Sequence, residues 1–101
     1  MDKILNNLGL CAKSRNLISG EELVVESIKK NKVFYIFLAN NASDNTKKKI
    51  NDKAKFYNVL VNMDYSSEEL SHAIGLTNRM VVGITNEGFA KILKKWGAYC
   101  G

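Results

Sequence analysis

Five segments of the chain repeat apolar residues at steps of three and four, the spacing that turns one face of an α-helix toward a core. They cover residues 2–13, 20–30 and 43–57, a short stretch after Ser66, and a last one that follows Asn86 and ends at Gly97. The inward faces are expected to hold Ile4, Leu8, Cys11 and Ala12; then Leu23, Val24 and Ile28; then Thr46, Ile50, Ala54 and Tyr57; then Leu70, Ala73 and Ile74; and finally Phe89, Leu93 and Trp96.

Short apolar runs between these helices predict strands. Residues 33–38 form an unbroken apolar run, which is typical of a strand covered on both faces and so of the centre of a sheet. Shorter runs lie at residues 17–18, 59–61 and 80–84. This alternation predicts an α/β sandwich, with a small sheet between helical layers. Because 101 residues contain no proline or low-complexity linker, residues 1–101 are expected to form one domain.

Polar residues mark the predicted helix starts. Asp2, Ser43 and Asn86 each stand where a side chain can cap a helix. Ser66 and Glu69 have the spacing of a capping box, in which each side chain bonds the other residue's backbone N–H.

Residues 17–22 are the most informative stretch, since they predict a short strand that runs into a helix opened by glycine. Ser19 with Glu22 also fits a capping box, and Gly20 leaves the nearby backbone amides unscreened by a side chain. Free amides at a helix N-terminus favour anions, so we expect phosphate or a base edge here. Stability alone also accounts for Glu21 and Glu22, because acids in a first turn complement the helix dipole.

The charge balance favours an anionic partner. Fifteen lysine and arginine residues against ten acids give a formal charge of +5. Eight lysines crowd residues 29–55. We interpret residues 47–49 chiefly as a solvated helix face, with Lys47 as a phosphate contact.

Several functional classes are not expected. No apolar run approaches the ~20 residues of a membrane span, and the first residues lack the apolar stretch of a secretory signal, so we expect a cytoplasmic protein. Cys11 and Cys100 are expected to be reduced thiols that bind no metal. His72 has no evident partner for acid–base work, and no glycine-rich phosphate motif is present. We expect no enzyme, cofactor or small-molecule substrate.

Motifs along nearly the whole chain carry a resemblance to a known family. They are L-G-L at residues 8–10, S-G-E-E-L at 19–23, N-T-K-K-K at 45–49, A-I-G at 73–75 and N-E-G-F-A at 86–90. With these motifs the chain resembles the ribosomal protein family of the L-seven-Ae and L-thirty-e type, most closely its small bacterial YlxQ branch. The resemblance implies a three-layer α/β/α sandwich with a small, four-stranded mixed sheet. It also implies binding of structured RNA, typically kink-turns, without catalysis.

The resemblance implies a site made from three neighbouring loops. In better-known members, Asn, Glu and a later Lys of the helix after the equivalent of Gly20 contact the sheared G·A pairs of the kink. In this chain the matching positions are Glu22, Leu23 and Glu26. The implied RNA-binding residues are Lys13, Arg15, Ser19, Gly20, Glu21, Glu22, Asn40, Asn41, Lys47, Gly75, Leu76, Thr77, Asn78 and Arg79.

Individual roles are expected at several of these positions. Asn40 and Asn41 offer amides that donate and accept at base edges, although turn formation after a strand also explains them. Leu76 is either the apolar contact for a flipped base or a core residue at a helix end. Lys13 and Arg15 precede the first strand and are expected to hold phosphate.

Two hypotheses follow for function. The first is a monomeric, cytoplasmic RNA-binding protein, ribosomal or ribosome-associated, that reads a kinked or otherwise structured RNA, with ribosomal RNA as one candidate, by shape and base edges. The alternative is a protein-interaction module on the same fold that has lost kink-turn binding. Its support is the acidic second helix, with Glu21, Glu22 and Glu26, and the expected exposure of Tyr65 and Tyr99.

Overall fold

The computed structural model describes residues 2–97, in which helices and strands alternate strictly along the chain. The helices are α1 (Lys3–Lys13), α2 (Glu21–Lys29), α3 (Asp44–Phe56), α4 (Ser67–Ile74) and α5 (Glu87–Gly97). The strands are β1 (Leu17–Ser19), β2 (Tyr35–Leu38), β3 (Val61–Asn62) and β4 (Val81–Ile84). The alternation that the hydrophobic pattern predicts is therefore confirmed.

The strands form one mixed sheet in the order β1-β4-β2-β3. β4 runs antiparallel to both β1 and β2, and β2 runs parallel to β3. Every residue of β2 and β4 is buried, as expected for strands covered on both faces. β2 begins at Tyr35, two residues later than the predicted strand. Just before it the chain reaches the sheet, where the Phe34 N–H donates to the Ile84 carbonyl at 2.8 Å.

Helices cover the sheet in two groups, which confirms the three-layer α/β/α sandwich. α2 packs against α3, and α1 packs against α4 and α5. The largest side chains with no exposed surface come from both helical layers and from the sheet: Phe37, Leu8, Ile28, Ile36, Leu38, Ile50, Leu70, Ile84 and Leu93. The expectation for Leu23 is wrong, since this side chain is 52% exposed and Val25 is buried instead. The buried stripe of α2 is Val24, Val25 and Ile28, and Leu23 lies outside it.

Side chains cap four of the five helices at the positions that the sequence predicts. The caps, in chain order, are Asp2 for α1, Ser43 for α3, Ser66 for α4 and Asn86 for α5. The capping box at α4 is complete: the Glu69 N–H donates to Ser66 Oγ at 3.1 Å, and the Ser66 N–H donates to Glu69 Oε1 at 3.0 Å.

The second predicted capping box, Ser19 with Glu22, is wrong. Ser19 is the last residue of β1, where it pairs with Val82 of β4. The sheet therefore holds Ser19 as a strand residue, and Gly20 becomes the N-cap of α2.

Tyr65 is not the exposed aromatic that the protein-interaction hypothesis requires. Its side chain is buried, its ring lies 6.3 Å from that of Phe37, and its hydroxyl donates to the Asp2 carboxylate at 2.9 Å. It thus fixes the start of α1 to the segment after β3. Tyr99, the second aromatic residue of that hypothesis, lies outside the described residues, as does Cys100, which was expected to be a reduced thiol.

None of the helices within residues 2–97 combines the length and apolar character that crossing a membrane requires. In the same residues, no group of three or more His, Cys, Asp or Glu side chains is arranged to hold a metal ion.

Cys11 packs as a small hydrophobic residue. It lies on the buried side of α1 with no exposed surface, and burial raises the pKa of its thiol to about 11.

We expect the Cys11 thiol to react only when the protein unfolds, because the thiolate is the reactive form and the folded chain suppresses it. In a Cys100→Ser background, which leaves Cys11 as the single thiol, Ellman's reagent at pH 8 should react slowly with native protein and at once in denaturant. Rapid reaction of the native protein would contradict the burial described here.

Candidate nucleic-acid interface

The topology brings three loops to one edge of the sheet. β1, β2 and β3 run in one direction and β4 runs against them, so the ends of the first three strands meet the start of β4. We call this side the loop edge, defined by Gly20, residues 39–42 and residues 75–80. Backbone hydrogen bonds tie it together, since the Gly20 N–H donates to the Val81 carbonyl at 2.9 Å and the Ala39 N–H donates to the Met80 carbonyl at 2.8 Å.

Three helices begin at or beside the loop edge, because α2, α3 and α4 follow the strands that end there. Each therefore turns its electropositive N-terminal end toward it. Serine side chains cap the N-termini of α3 and α4. The N-cap of α2 is Gly20, which has no side chain that could accept a hydrogen bond from the first amides of the helix. The Gly20 carbonyl accepts the first helical hydrogen bond, from Val24, at 3.0 Å. The amides of residues 21–23 precede that bond and point out of the helix end.

The conformation of Gly20 explains why a glycine stands here. Its φ of 104° and ψ of 141° lie where L side chains rarely go. A Cβ added to Gly20 would lie 3.7 Å from Nη1 of Arg79. The Arg79 guanidinium thus lies directly beside the uncapped start of α2.

The backbone of Arg79 is anchored by a buried serine. Its N–H donates to Ser71 Oγ at 2.8 Å, and Ser71 Oγ donates to the Arg79 carbonyl at 3.4 Å. The Nε of Arg79 is buried and has no hydrogen-bond partner among the described residues. The ion pairs within residues 2–97, Lys49–Glu21 and Lys29–Glu26, do not include it. A guanidinium and a bare helix end therefore form one concentrated positive site.

Glu21, one of the two acids in the first turn of α2, pairs with a lysine of α3. Glu21 turns toward α3, where it lies 3.3 Å from Nζ of Lys49. A hydrogen bond from the Thr46 side chain, helped by Lys49, holds the pKa of the Glu21 carboxyl below its usual value. Glu22 is exposed in the same first turn, and Glu26, one turn later, pairs with Lys29 at 3.8 Å.

Asn41 serves a structural role at the loop edge. Its Oδ1 accepts from the Ser67 N–H at 2.9 Å, and its Nδ2 donates to Glu68 at 3.1 Å. These bonds join the β2–α3 loop to the start of α4. Asn40 lies beside it and is exposed as well.

The α4–β4 loop supplies an exposed apolar residue beside polar ones. Gly75 ends α4 in the left-handed conformation, with φ 75°, and residues 75–78 are exposed. Leu76 is 44% exposed, which settles the two interpretations of this residue in favour of a surface position. Thr77 and Asn78 follow it, and Asn78 itself has a left-handed φ of 54°.

Comparison with known proteins identifies the family. Residues 2–94 match the model described as "Ribosomal protein L7Ae/L30e/S12e/Gadd45 family". The chain belongs to this family.

Relatives and solved structures agree with that assignment. This chain is 42% identical over 93 residues to the "RNA-binding protein YlxQ" of Enterococcus faecium. The aligned region covers 92% of this chain and 89% of the relative. It is 38% identical to the protein of the same name from Bacillus subtilis (strain 168), over 85% of this chain and 86% of that one.

Two solved structures share the fold. A protein with unknown function from Bacillus halodurans C superposes with a TM-score of 0.91 at 36% identity, over 94% of this chain and 96% of that one. The "Giardia lamblia 15.5kD RNA binding protein" superposes with a TM-score of 0.80 at 13% identity, over 100% and 92% of the two chains. At that identity the second likeness shows the fold alone.

The other cations that the sequence predicts for the site lie at three different places in the structure. Lys47 lies half-buried in the first turn of α3, at its loop-edge end. Lys13 lies exposed beside the surface where His72 and Gly75 meet α1. Arg15 lies at the opposite end of the sheet from Arg79, because Leu17 pairs with Ile84 at the far end of β4. The register therefore does not bring Arg15 to the loop edge.

Two residues that position this site are not predicted from the sequence. Ser71 and Ser67 are buried polar residues of α4, and they hold Arg79 and Asn41 respectively. A serine on the inward side of a predicted amphipathic helix is the one signal that marks such a position.

Replacing Gly20 tests the backbone conformation on which the site depends. Gly20→Ala should destabilise the protein by about 1–3 kcal/mol, since φ 104° is strained for any L side chain. The measurement is the midpoint of urea unfolding. Gly75→Ala is the matched control: its φ of 75° and ψ of 27° lie in the left-handed helical region, which L residues adopt at a smaller cost, so a smaller loss is expected. A Gly20 variant as stable as the native protein would contradict the described conformation.

Proposed function

We propose that this protein binds structured RNA, with a kinked element as the typical target, through the loop edge. The observation that carries the proposal is the Arg79 guanidinium beside the uncapped N-terminus of α2. Helix amides and arginine are each suited to phosphate oxygens, and here they lie side by side with no carboxylate paired to Arg79 in the described part of the chain. An RNA backbone bent toward this edge would satisfy both.

Exposed side chains around the positive site supply the contacts that distinguish one RNA shape from another. Asn40 offers an amide, and Leu76 offers an apolar surface for an unstacked base. Thr77 and Asn78 lie next to Leu76 on the same exposed loop. Recognition of bases outside a regular duplex is how proteins read RNA sequence, since the A-form major groove is too narrow for side chains.

The positions that resemble kink-turn contacts hold different residues here. Glu22 and Leu23 are exposed in the first turn of α2, and Glu26 is exposed one turn later. Backbone amides and Arg79 would then carry more of the recognition than side chains of α2 do. Because few cations face the site, the affinity should fall only gently with salt.

The names of the similar proteins support this reading at the level of RNA binding. Two relatives that align over most of this chain are called RNA-binding proteins, and the family description names ribosomal proteins. We extend the proposal to a non-catalytic, monomeric, cytoplasmic protein that acts on or near the ribosome. The direct test is a gel-shift titration with kink-turn and bulged RNAs at low salt, in which failure to bind any structured RNA would end the proposal.

Neutralising Arg79 should weaken RNA binding. Arg79→Gln removes one phosphate contact, so we expect about a tenfold loss of affinity, equal to about 1.4 kcal/mol. The slope of log affinity against log salt should become shallower by about 0.7 to 1. Fluorescence anisotropy of a labelled kinked RNA at several salt concentrations measures both quantities.

Lys91→Gln is the matched control for Arg79, because it removes an exposed cation from α5, away from the loop edge. It should leave affinity and slope nearly unchanged. Equal losses in the two variants would mean that net charge, rather than the loop edge, determines binding.

Reversing the charge at Glu26 should strengthen RNA binding. Glu26→Lys removes an exposed carboxylate from the second turn of α2 and restores the cation expected from the family resemblance. We expect tighter binding and a salt slope steeper by about 1. Glu87→Lys makes the same change of net charge on α5 and should have a smaller effect; an equal effect would place Glu26 outside the contact surface.

A further inference from the structure

Phe56 is the large hydrophobic side chain most open to solvent in the described part of the chain. It is the last residue of α3, and 77% of its surface is exposed. Leu60, four residues on, is 60% exposed. Among the described residues these are the two most exposed large hydrophobic side chains, and an exposed aromatic ring offers apolar surface to a binding partner.

Two lysines and one acid of α3 stand within four positions of this aromatic residue. Lys53 and Asp52 precede Phe56 by three and four residues, which places them on the same helix face, and Lys55 is its exposed neighbour in the sequence. α2 and α3 both run back from the loop edge, so Lys30 and Lys32, after the end of α2, lie toward the same end of the molecule. None of these four lysines takes part in either ion pair found within residues 2–97. Asp52 is the acid closest in sequence to Phe56.

The ring of Phe56 is held in a defined orientation. Its centroid lies 5.0 Å from that of Tyr57, with an interplanar angle of 72°, which is an edge-to-face contact. Tyr57 is half-buried and joins the partly buried shell around the core. Phe56 therefore lies against a partly buried aromatic ring while most of its own surface faces water.

We infer that Phe56, Lys53 and Lys55 form a second nucleic-acid contact, which takes an unpaired nucleotide that flanks the RNA element held at the loop edge. The base would stack on Phe56 and the adjacent phosphates would meet the lysines, the combination by which proteins bind single strands without reading sequence. The thirteen residues of α3 place this contact about 20 Å from the loop edge, so it is a separate contact that a flanking strand must reach. The inference rests on the proposed function.

The surrounding charge favours RNA over a protein as the occupant. Protein interfaces are depleted in lysine, whereas single-stranded nucleic acid is bound by aromatic rings set among cations. Lys53 and Lys55 border Phe56 at its helix end, and the protein carries a formal charge of +5.

The test compares a kinked RNA without a tail with the same RNA carrying a short uridine tail at its 5′ or its 3′ end. For the native protein, at least one tail should raise affinity by about tenfold. Phe56→Ala and the double variant Lys53→Gln/Lys55→Gln should remove that gain and leave the affinity for the tail-less RNA unchanged. Phe56→Tyr should keep the gain, because tyrosine also offers a ring for stacking.

Ile92→Ala is the matched control, since it removes an exposed apolar side chain from α5. It should retain the full effect of the tail. The inference is overturned if neither tail raises the affinity of the native protein, or if Phe56→Ala retains the gain; the second result would show that the ring does not contact the tail. Failure of the tail-less RNA to bind would instead count against the proposed function.

Discussion

The junction between β1 and α2 is the constraint on which the candidate site depends. Pairing of β1 with β4 continues through Ser19, and the Gly20 N–H then bonds the Val81 carbonyl at 2.9 Å. The chain must turn into α2 within one residue, and it does so at a φ of 104° that glycine alone adopts easily. As a result α2 starts without a side-chain cap, close against Arg79. Local backbone geometry thus creates the positive site that the proposed function uses.

The rest of the fold supports that junction. Because three strands end where β4 begins, the sheet gathers the loops and the helix N-termini on one side. Buried serines of α4 then fix the details: Ser71 Oγ accepts from the Arg79 N–H, and the Ser67 N–H donates to Asn41 Oδ1 in the neighbouring loop. The acid best placed to neutralise the site, Glu21, is drawn away by Thr46 and Lys49. These contacts fix the backbone of Arg79, the neighbouring loop and the Glu21 side chain around the start of α2.

The spacing of apolar residues and the helix-capping residues were enough to predict the layers of the fold. This is because a helix buried on one face and a strand buried on both faces each require their own spacing of apolar residues. Predictions failed where tertiary contacts decide. Ser19 has the spacing of a cap but is held in the sheet; Tyr65 follows a loop yet its ring is buried and its hydroxyl bonds Asp2. Arg15 is close in sequence to Gly20, but the antiparallel register carries the two to opposite ends of β1. The pairing of Ser71 with Arg79 depends on a return of the chain that no local pattern shows.

The most direct test of this account follows the NMR resonances of the backbone amides and of the Arg79 Nε–H during titration with a kinked RNA. The account predicts that the amides of residues 21–23 and the Arg79 side chain shift most strongly and saturate together. Tight RNA binding that leaves those resonances unmoved, with the largest shifts on α5 instead, would contradict it.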